Sequence, residues 1–146
     1  MKVAIFSGRF DPLHLGHVLT IIEIAKKYDH VFVPILNYSN RFIEVEIILK
    51  IFKRIFEHMD NLFFKVTLIV NEIHFGKITS KEYKTLIKSI NCENDDVTYL
   101  SGNFEVLDHM NKIGIKNRYF KRTMDEIYTG TNIRNQIKDG VCEEFL

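Results

Sequence analysis

The sequence predicts an α/β fold: a Rossmann-like parallel sheet of five strands with helices on both faces, forming one domain over residues 1–146. Three observations predict it. Short apolar runs alternate with longer stretches whose apolar residues recur every three to four positions, and strands alternating with helices imply parallel pairing. A glycine-bearing polar loop follows the first apolar run, where such folds turn from strand to helix. Finally, 146 residues suit one hydrophobic core, and neither Pro12 nor Pro34 sits in a Gly/Ser-rich linker.

Each element has its own signal. Lys2 to Phe6 reads as a buried strand ending at Ser7 and Gly8. Val18, Ile21, Ile22 and Ala25 share one helical face, and that helix ends near Tyr28. His30 to Leu36 is a second strand, rich in the β-branched Val31, Val33 and Ile35. Asn37 to Asn40 form a polar loop. Val45, Ile48, Leu49, Phe52, Ile55, Phe56 and Met59 then mark a long amphipathic helix, with Lys50, Lys53 and Arg54 on its wet side. That stripe reads as core or as a subunit contact. Phe63 to Val70 is a third strand, and Tyr83, Leu86, Ile87 and Ile90 mark a helix. A strand at Asp96 to Leu100, a helix near Phe104 to Ile113 and a short strand at Ile115 to Tyr119 follow. A last helix opens at Thr131, runs to Lys138 and is ended by Gly140.

The bulk properties exclude several classes. A hydrophobic content of 46% with 27% charged residues is ordinary for a soluble globular domain. The net charge of +1 offers no electrostatic case for nucleic acid or an anionic membrane. No apolar run approaches the roughly 18–20 residues of a membrane span, and the apolar start is too short for a signal peptide. Cys92 and Cys142 lack metal-ligand or redox spacing, as expected of reduced thiols in a cytoplasmic protein.

Two stretches carry chemistry. The first is GRFDPLHLGH, Gly8 to His17, at the predicted strand-to-helix turn. Gly8 permits a tight turn, Gly16 leaves room for a phosphate against the main chain, and Pro12 fixes the loop. His14 and His17, three apart, fall on one side of a first helical turn, where imidazoles and free backbone N–H groups surround a small volume suited to a polyphosphate. Asp11 caps a turn or touches substrate. The second stretch is TGTNIR, Thr129 to Arg134, in which Thr131 looks like a helix N-cap with Arg134 one turn on. In parallel sheets the loops after the first and the fourth or fifth strands meet at one crevice. His30, His58, His74 and His109 read as ordinary. Lys112, Lys116, Arg118, Lys121 and Arg122 form a basic stretch that reads as a solvated face, from which Arg122 could assist a triphosphate.

Together the two stretches resemble the nucleotidyltransferase superfamily with an HxGH signature and a later (S/T)-(S/T/G)-T-x-(I/V)-R signature. The spacing is most similar to that of archaeal-type nicotinamide-nucleotide adenylyltransferases. Their first motif carries Gly-Arg-Phe, here Gly8 to Phe10, and their second is close to Tyr128 to Arg134. Leu100-Ser101-Gly102-Asn103 resembles the segment that holds the nucleotide base region. The middle of the chain matches only in periodicity. The chain departs from the pattern in having Asp11 where Gln is usual and no Trp to stack on nicotinamide, a role open to Tyr83 or Phe75, and in a contracted loop at Asn37 to Arg41.

The resemblance implies transfer of AMP from ATP to nicotinamide mononucleotide, giving NAD and pyrophosphate. His14 and His17 would be catalytic, with His17 on the α-phosphate in the transition state and His14 on the phosphates beside it. Ser7, Gly8, Arg9, Phe10, Gly16, Gly102, Asn103, Tyr128, Thr129, Gly130, Thr131 and Arg134 would bind the nucleotide. Among them Arg9, Thr131 and Arg134 would hold the β- and γ-phosphates with Mg²⁺, and no residue is assigned as a metal ligand. The expected partners are ATP and a small phosphate-monoester acceptor, with neither nucleic acid nor membrane, and homo-oligomers are common in the superfamily. A CTP-dependent cytidylyltransferase acting on glycerol 3-phosphate or a similar monoester is the nearest rival, mildly favoured by Asp11. Phosphopantetheine adenylyltransferases usually carry Thr where this chain has His14. A non-catalytic nucleotide sensor is a further alternative, disfavoured by the intact His14, His17, Thr131 and Arg134.

Overall fold

The computed structural model describes residues 1–37, 40–68 and 78–122, with the backbone alone for 65–68. Five strands and four helices alternate: β1 (Lys2–Ile5), α1 (Leu15–Ala25), β2 (His30–Asn37), α2 (Val45–Ile55), β3 (Leu62–Leu68), α3 (Ser80–Ser89), β4 (Asp96–Ser101), α4 (Phe104–Lys112) and β5 (Asn117–Tyr119). The strands form one parallel sheet in the order β3-β2-β1-β4-β5.

The period of two along a strand sorts the core into two layers. Ala4 and Phe6 point to one face, where Ile21 and Ile24 of α1 and Ile48 and Phe52 of α2 cover Val31, Val33 and Ile35. Ile5 points to the other, where Leu86 of α3 and Val106 and Met110 of α4 pack with Tyr99. Apolar positions at helical spacing thus end where the sequence places them.

The differences are at the ends of elements. The predicted helix through Met59 stops at Ile55, because Phe56 leaves the α region (φ −105°, ψ 21°). Phe56 and Met59 still pack on the core from the turn. Ile115 stays outside β5 because its N–H donates to Met110 O (2.9 Å) in the turn after α4. α3 begins with a reciprocal cap: Glu82 N–H donates to Thr79 Oγ1 (3.1 Å) and Thr79 N–H to Glu82 Oε1 (3.0 Å). The helix expected from Thr131 to Lys138 and the end of the third strand at Val70 lie outside the described residues.

One consequence of the strand order positions the site. The chain winds outward from β1 to β3, then crosses back to place β4 on β1's other side. The loops after β1 and β4 therefore part in opposite directions and leave a crevice at their carboxyl ends. No helix among the described residues is long and apolar enough to cross a membrane.

Candidate active site

A cleft of 190 Å³ lies at that switch point, lined by Phe6 to Asp11, His17, Ser101 to Asn103 and Arg122. A larger trough of 680 Å³ between α1 and β5 is lined by Lys2, Lys27, Arg118 and Lys121 among others, and by none of the motif residues. The chemistry follows the side chains and not the size.

The loop after β1 is built from long-range bonds. Gly8 N–H donates to Pro34 O (3.2 Å) and Gly8 O accepts from Leu36 N–H (2.9 Å), so the loop starts as an extension of the sheet. The close approach of Phe10 is what requires glycine at Gly8, where an added Cβ would stand 2.8 Å from Phe10 Cζ. Phe10 itself takes φ 48°, a left-handed conformation uncommon outside glycine, which turns its ring inward. The ring is 1% exposed and meets Phe52 and His17 edge-on, each at 4.8 Å.

Asp11 borders the cleft but is only 2% exposed, and it accepts hydrogen bonds from Phe42 N–H (3.0 Å) and Ile43 N–H (2.9 Å). Its partners are in the loop before α2 and not in its own turn, so these bonds join two loops where the sequence suggested a local cap or a substrate contact. Arg41 complements it, donating to Ile43 O (2.8 Å), Leu36 O (2.9 Å) and Phe10 O (3.3 Å). No local signal marks Arg41, since the carbonyl it reaches on Phe10 is 31 residues away.

His14 and His17 do share one side of the first turn of α1, their rings stacked at 3.6 Å and 24°. His14 is the N-cap residue. Its backbone N–H donates to His17 Nδ1 (3.2 Å). Burial, then the His14 ring, then Arg122 hold His17 well below the usual imidazole range. Burial and then Arg122 push His14 down to about 4. Both rings are therefore neutral at pH 7. In neutral His17 the nitrogen that accepts from His14 carries no proton, so Nε2 carries it and is the donor on the cleft side of the pair. Gly16 is buried between them, and its carbonyl accepts from Thr20 Oγ1 (2.7 Å).

The opposite wall comes from β4. Ser7 Oγ is in hydrogen-bond contact with Tyr99 Oη, tying the two strands together at the cleft floor. Burial pushes the Tyr99 hydroxyl up to about 12. Asn103 caps α4, its Oδ1 accepting from Glu105 N–H (2.9 Å), and Asn103 N–H donates to Ser101 Oγ (3.1 Å). A Cβ on Gly102 would sit 3.1 Å from both Arg122 Cγ and Phe120 O. The missing side chain is what lets Arg122 cross the strand end and bring its charge within reach of both histidines.

The structure thus brings together Ser7, Gly8, Arg9, Phe10, His14, Gly16, His17, Gly102 and Asn103. It adds Arg122 and Ser101 to the lining. Tyr83 belongs to the α3/α4 core layer and does not line the cleft. Tyr128, Thr129, Gly130, Thr131, Arg134 and Phe75 lie outside the described residues.

Residues 5–136 match the cytidylyltransferase-like family. The chain belongs to that family of nucleotidyltransferases. It is similar to the phosphopantetheine adenylyltransferase of Mycoplasma capricolum, 27% identical over 116 residues, 74% of this chain and 79% of the relative. It is also similar to the enzyme of that name from Streptococcus gordonii, 23% identical over 99% of this chain and 93% of the relative. In fold it matches the bifunctional NMN adenylyltransferase/ADP ribose pyrophosphatase of Francisella tularensis complexed with AMP and a manganese ion. That match has a TM-score of 0.72 at 14% identity and covers 99% of this chain. The chain spans 44% of that bifunctional protein's length, and the likeness is one of fold.

Proposed function

We propose that this protein transfers AMP from ATP to nicotinamide mononucleotide, releasing pyrophosphate. The observation that carries nucleotidyl transfer is the neutral His17, fixed as an Nε2–H donor by the backbone of His14 and set in a cleft with Arg9 and Arg122. A phosphate of the acceptor is already ionised and needs no base. One of its oxygens bonds to the α-phosphorus while the bond from that phosphorus to the bridging oxygen of pyrophosphate breaks. No proton has to move, so catalysis is alignment and stabilisation of growing negative charge. His17 donates to an α-phosphate oxygen, and a neutral donor avoids trapping the ground state as a fixed ion pair would. Arg9 and Arg122 offset the charge of the phosphates, with Thr131 and Arg134 in the roles that the motif resemblance implies.

Mg²⁺ enters with the triphosphate as part of the substrate. Asp11 is engaged with two backbone N–H groups, and among the described residues no cluster of three His, Cys, Asp or Glu is placed to hold a metal. Phosphate oxygens and water supply the ligands such an ion prefers.

Gly-Arg-Phe at Gly8 to Phe10 and His14 favour nicotinamide mononucleotide as acceptor. The two phosphopantetheine adenylyltransferase relatives favour phosphopantetheine instead. Pyrophosphate release, crossing ATP and CTP with nicotinamide mononucleotide, phosphopantetheine and glycerol 3-phosphate, tests this. Turnover with ATP and nicotinamide mononucleotide alone supports the proposal. Turnover with phosphopantetheine moves the protein to coenzyme A chemistry, CTP turnover to cytidylyl transfer, and triphosphate binding without turnover to a sensor.

A further inference from the structure

Ser7 and His17 border one cleft from opposite faces of the sheet. His17 stands on α1 and touches Phe10, which belongs to the core layer of Ala4 and Phe6. Ser7 follows Ile5 at the strand period of two and meets Tyr99, and both Ile5 and Tyr99 belong to the α3/α4 layer.

Two hydroxyls that face each other share one proton and leave one to spare. Tyr99 is 1% exposed and packs in the layer of Ile5, Val106, Met110 and Ile115. Its hydroxyl has one partner among the described residues, Ser7 Oγ. Were Tyr99 to accept from Ser7, its own proton would be buried without an acceptor, a cost that the reverse direction avoids. Tyr99 Oη–H therefore donates to Ser7 Oγ. Burial, which pushes the phenol up to about 12, keeps that proton in place at neutral pH. The spare proton is that of Ser7, at the edge of the cleft. In-line displacement sets the attacking and leaving oxygens on opposite sides of the phosphorus. With the triphosphate against the start of α1, the acceptor enters on the side of Ser7.

We propose that Tyr99 is a positioning residue that holds the Ser7 hydroxyl as a donor to a non-attacking phosphate oxygen of the acceptor. This role differs from the nucleotide contact that the motif resemblance implies for Ser7. It rests on the nucleotidyl-transfer reading and not on the choice of acceptor, since nicotinamide mononucleotide and phosphopantetheine both present a phosphate monoester.

Calorimetric titration with MgATP, nicotinamide mononucleotide and phosphopantetheine tests it on Ser7→Ala, Tyr99→Phe and the double variant, alongside urea unfolding. Ser7→Ala is expected to weaken acceptor binding by about 10–100-fold, the worth of a hydrogen bond to a charged group, and to leave MgATP binding unchanged. Tyr99→Phe keeps the ring in the core and is expected to weaken the acceptor several-fold, again without effect on MgATP. Ser7→Ala also leaves the Tyr99 proton without its acceptor and lowers the unfolding midpoint. Adding Tyr99→Phe is expected to restore the midpoint and not the acceptor affinity, whereas a purely structural pair would regain both together. Unchanged acceptor binding in Tyr99→Phe, a loss that falls on MgATP, or a double variant that regains both overturns this inference and leaves nucleotidyl transfer standing. A wild type that binds phosphopantetheine alone overturns the nicotinamide reading, and the variants are then expected to weaken phosphopantetheine in the same way. A wild type that binds neither monoester overturns both.

Discussion

On the β1 side of the cleft, polar groups are held by partners far away in sequence. Asp11 and Arg41 bind backbone groups of each other's loops, 31 and 32 residues apart, and the loop's glycine is bonded into β2. On the β4 side, the side-chain bonds of Ser101 and Asn103 reach only two residues along the chain, and a backbone bond from Phe120 N–H to Ser101 O (3.0 Å) ties the strand end to the segment after β5. The side-chain groups of the first wall part only if two loops separate, whereas those of Ser101 and Asn103 can adjust within one turn of helix. A preorganised wall suits groups that must meet developing charge without moving, and an adjustable wall suits recognition of a base or an acceptor.

The largest effect expected from this contrast is at His17. His17→Ala should lower kcat for pyrophosphate release by about 10²–10³, with the fold retained by circular dichroism. A comparable kcat loss for Asn103→Ala would break the contrast, since that wall is assigned to binding. Next in size is stability. Asp11→Ala leaves Phe42 and Ile43 N–H without their acceptor and should cost about 1–3 kcal/mol in urea unfolding. Asn103→Ala removes only a helix cap and should cost about 1 kcal/mol. Equal costs would mean that the two walls are equally rigid.

The pH dependence sharpens the same point. The unfolded chain protonates His14 near its ordinary 6.5 and the folded chain only near about 4. Below pH 6.5 the unfolded state thus binds more protons. The histidine contribution to stability is complete above that value and is lost progressively as pH falls towards about 4. His17, shifted in the same direction, adds to it. Unfolding midpoints measured from pH 7 downwards should fall less steeply in a His14→Gln/His17→Gln protein than in the wild type. The smallest effect is at Gly102. Gly102→Ala crowds Arg122 and Phe120 O by a few tenths of an ångström and should raise KM for ATP several-fold with little change in the unfolding midpoint.

Much of this molecule is legible along the chain. Each helix and the first four strands within the described residues match an apolar period, because burial on one or both faces leaves a periodic trace whatever the neighbours are, whereas β5, Asn117–Tyr119, carries none. GRFDPLHLGH is legible for a similar reason: its turn, cap and imidazoles act within ten residues. The ends of elements are less so. Phe56 and Met59 continue the helical period of α2, yet their apolar contacts are made from a turn.

What the sequence determined by itself is therefore the alternation of elements, the two core layers and the pairing of His14 with His17 beside a helix start. Only the tertiary structure decided what the charged residues around them do. Asp11 stands between motif residues but serves a neighbouring loop, Arg41 and Arg122 sit in stretches with no motif of their own, and Ile47, Ile51 and Ile55 share the apolar character of the core without its burial. Local periodicity reports that a residue can be buried or charged. Which partner it meets depends on strand order, which brings together segments tens of residues apart and leaves one face of α2 to the solvent.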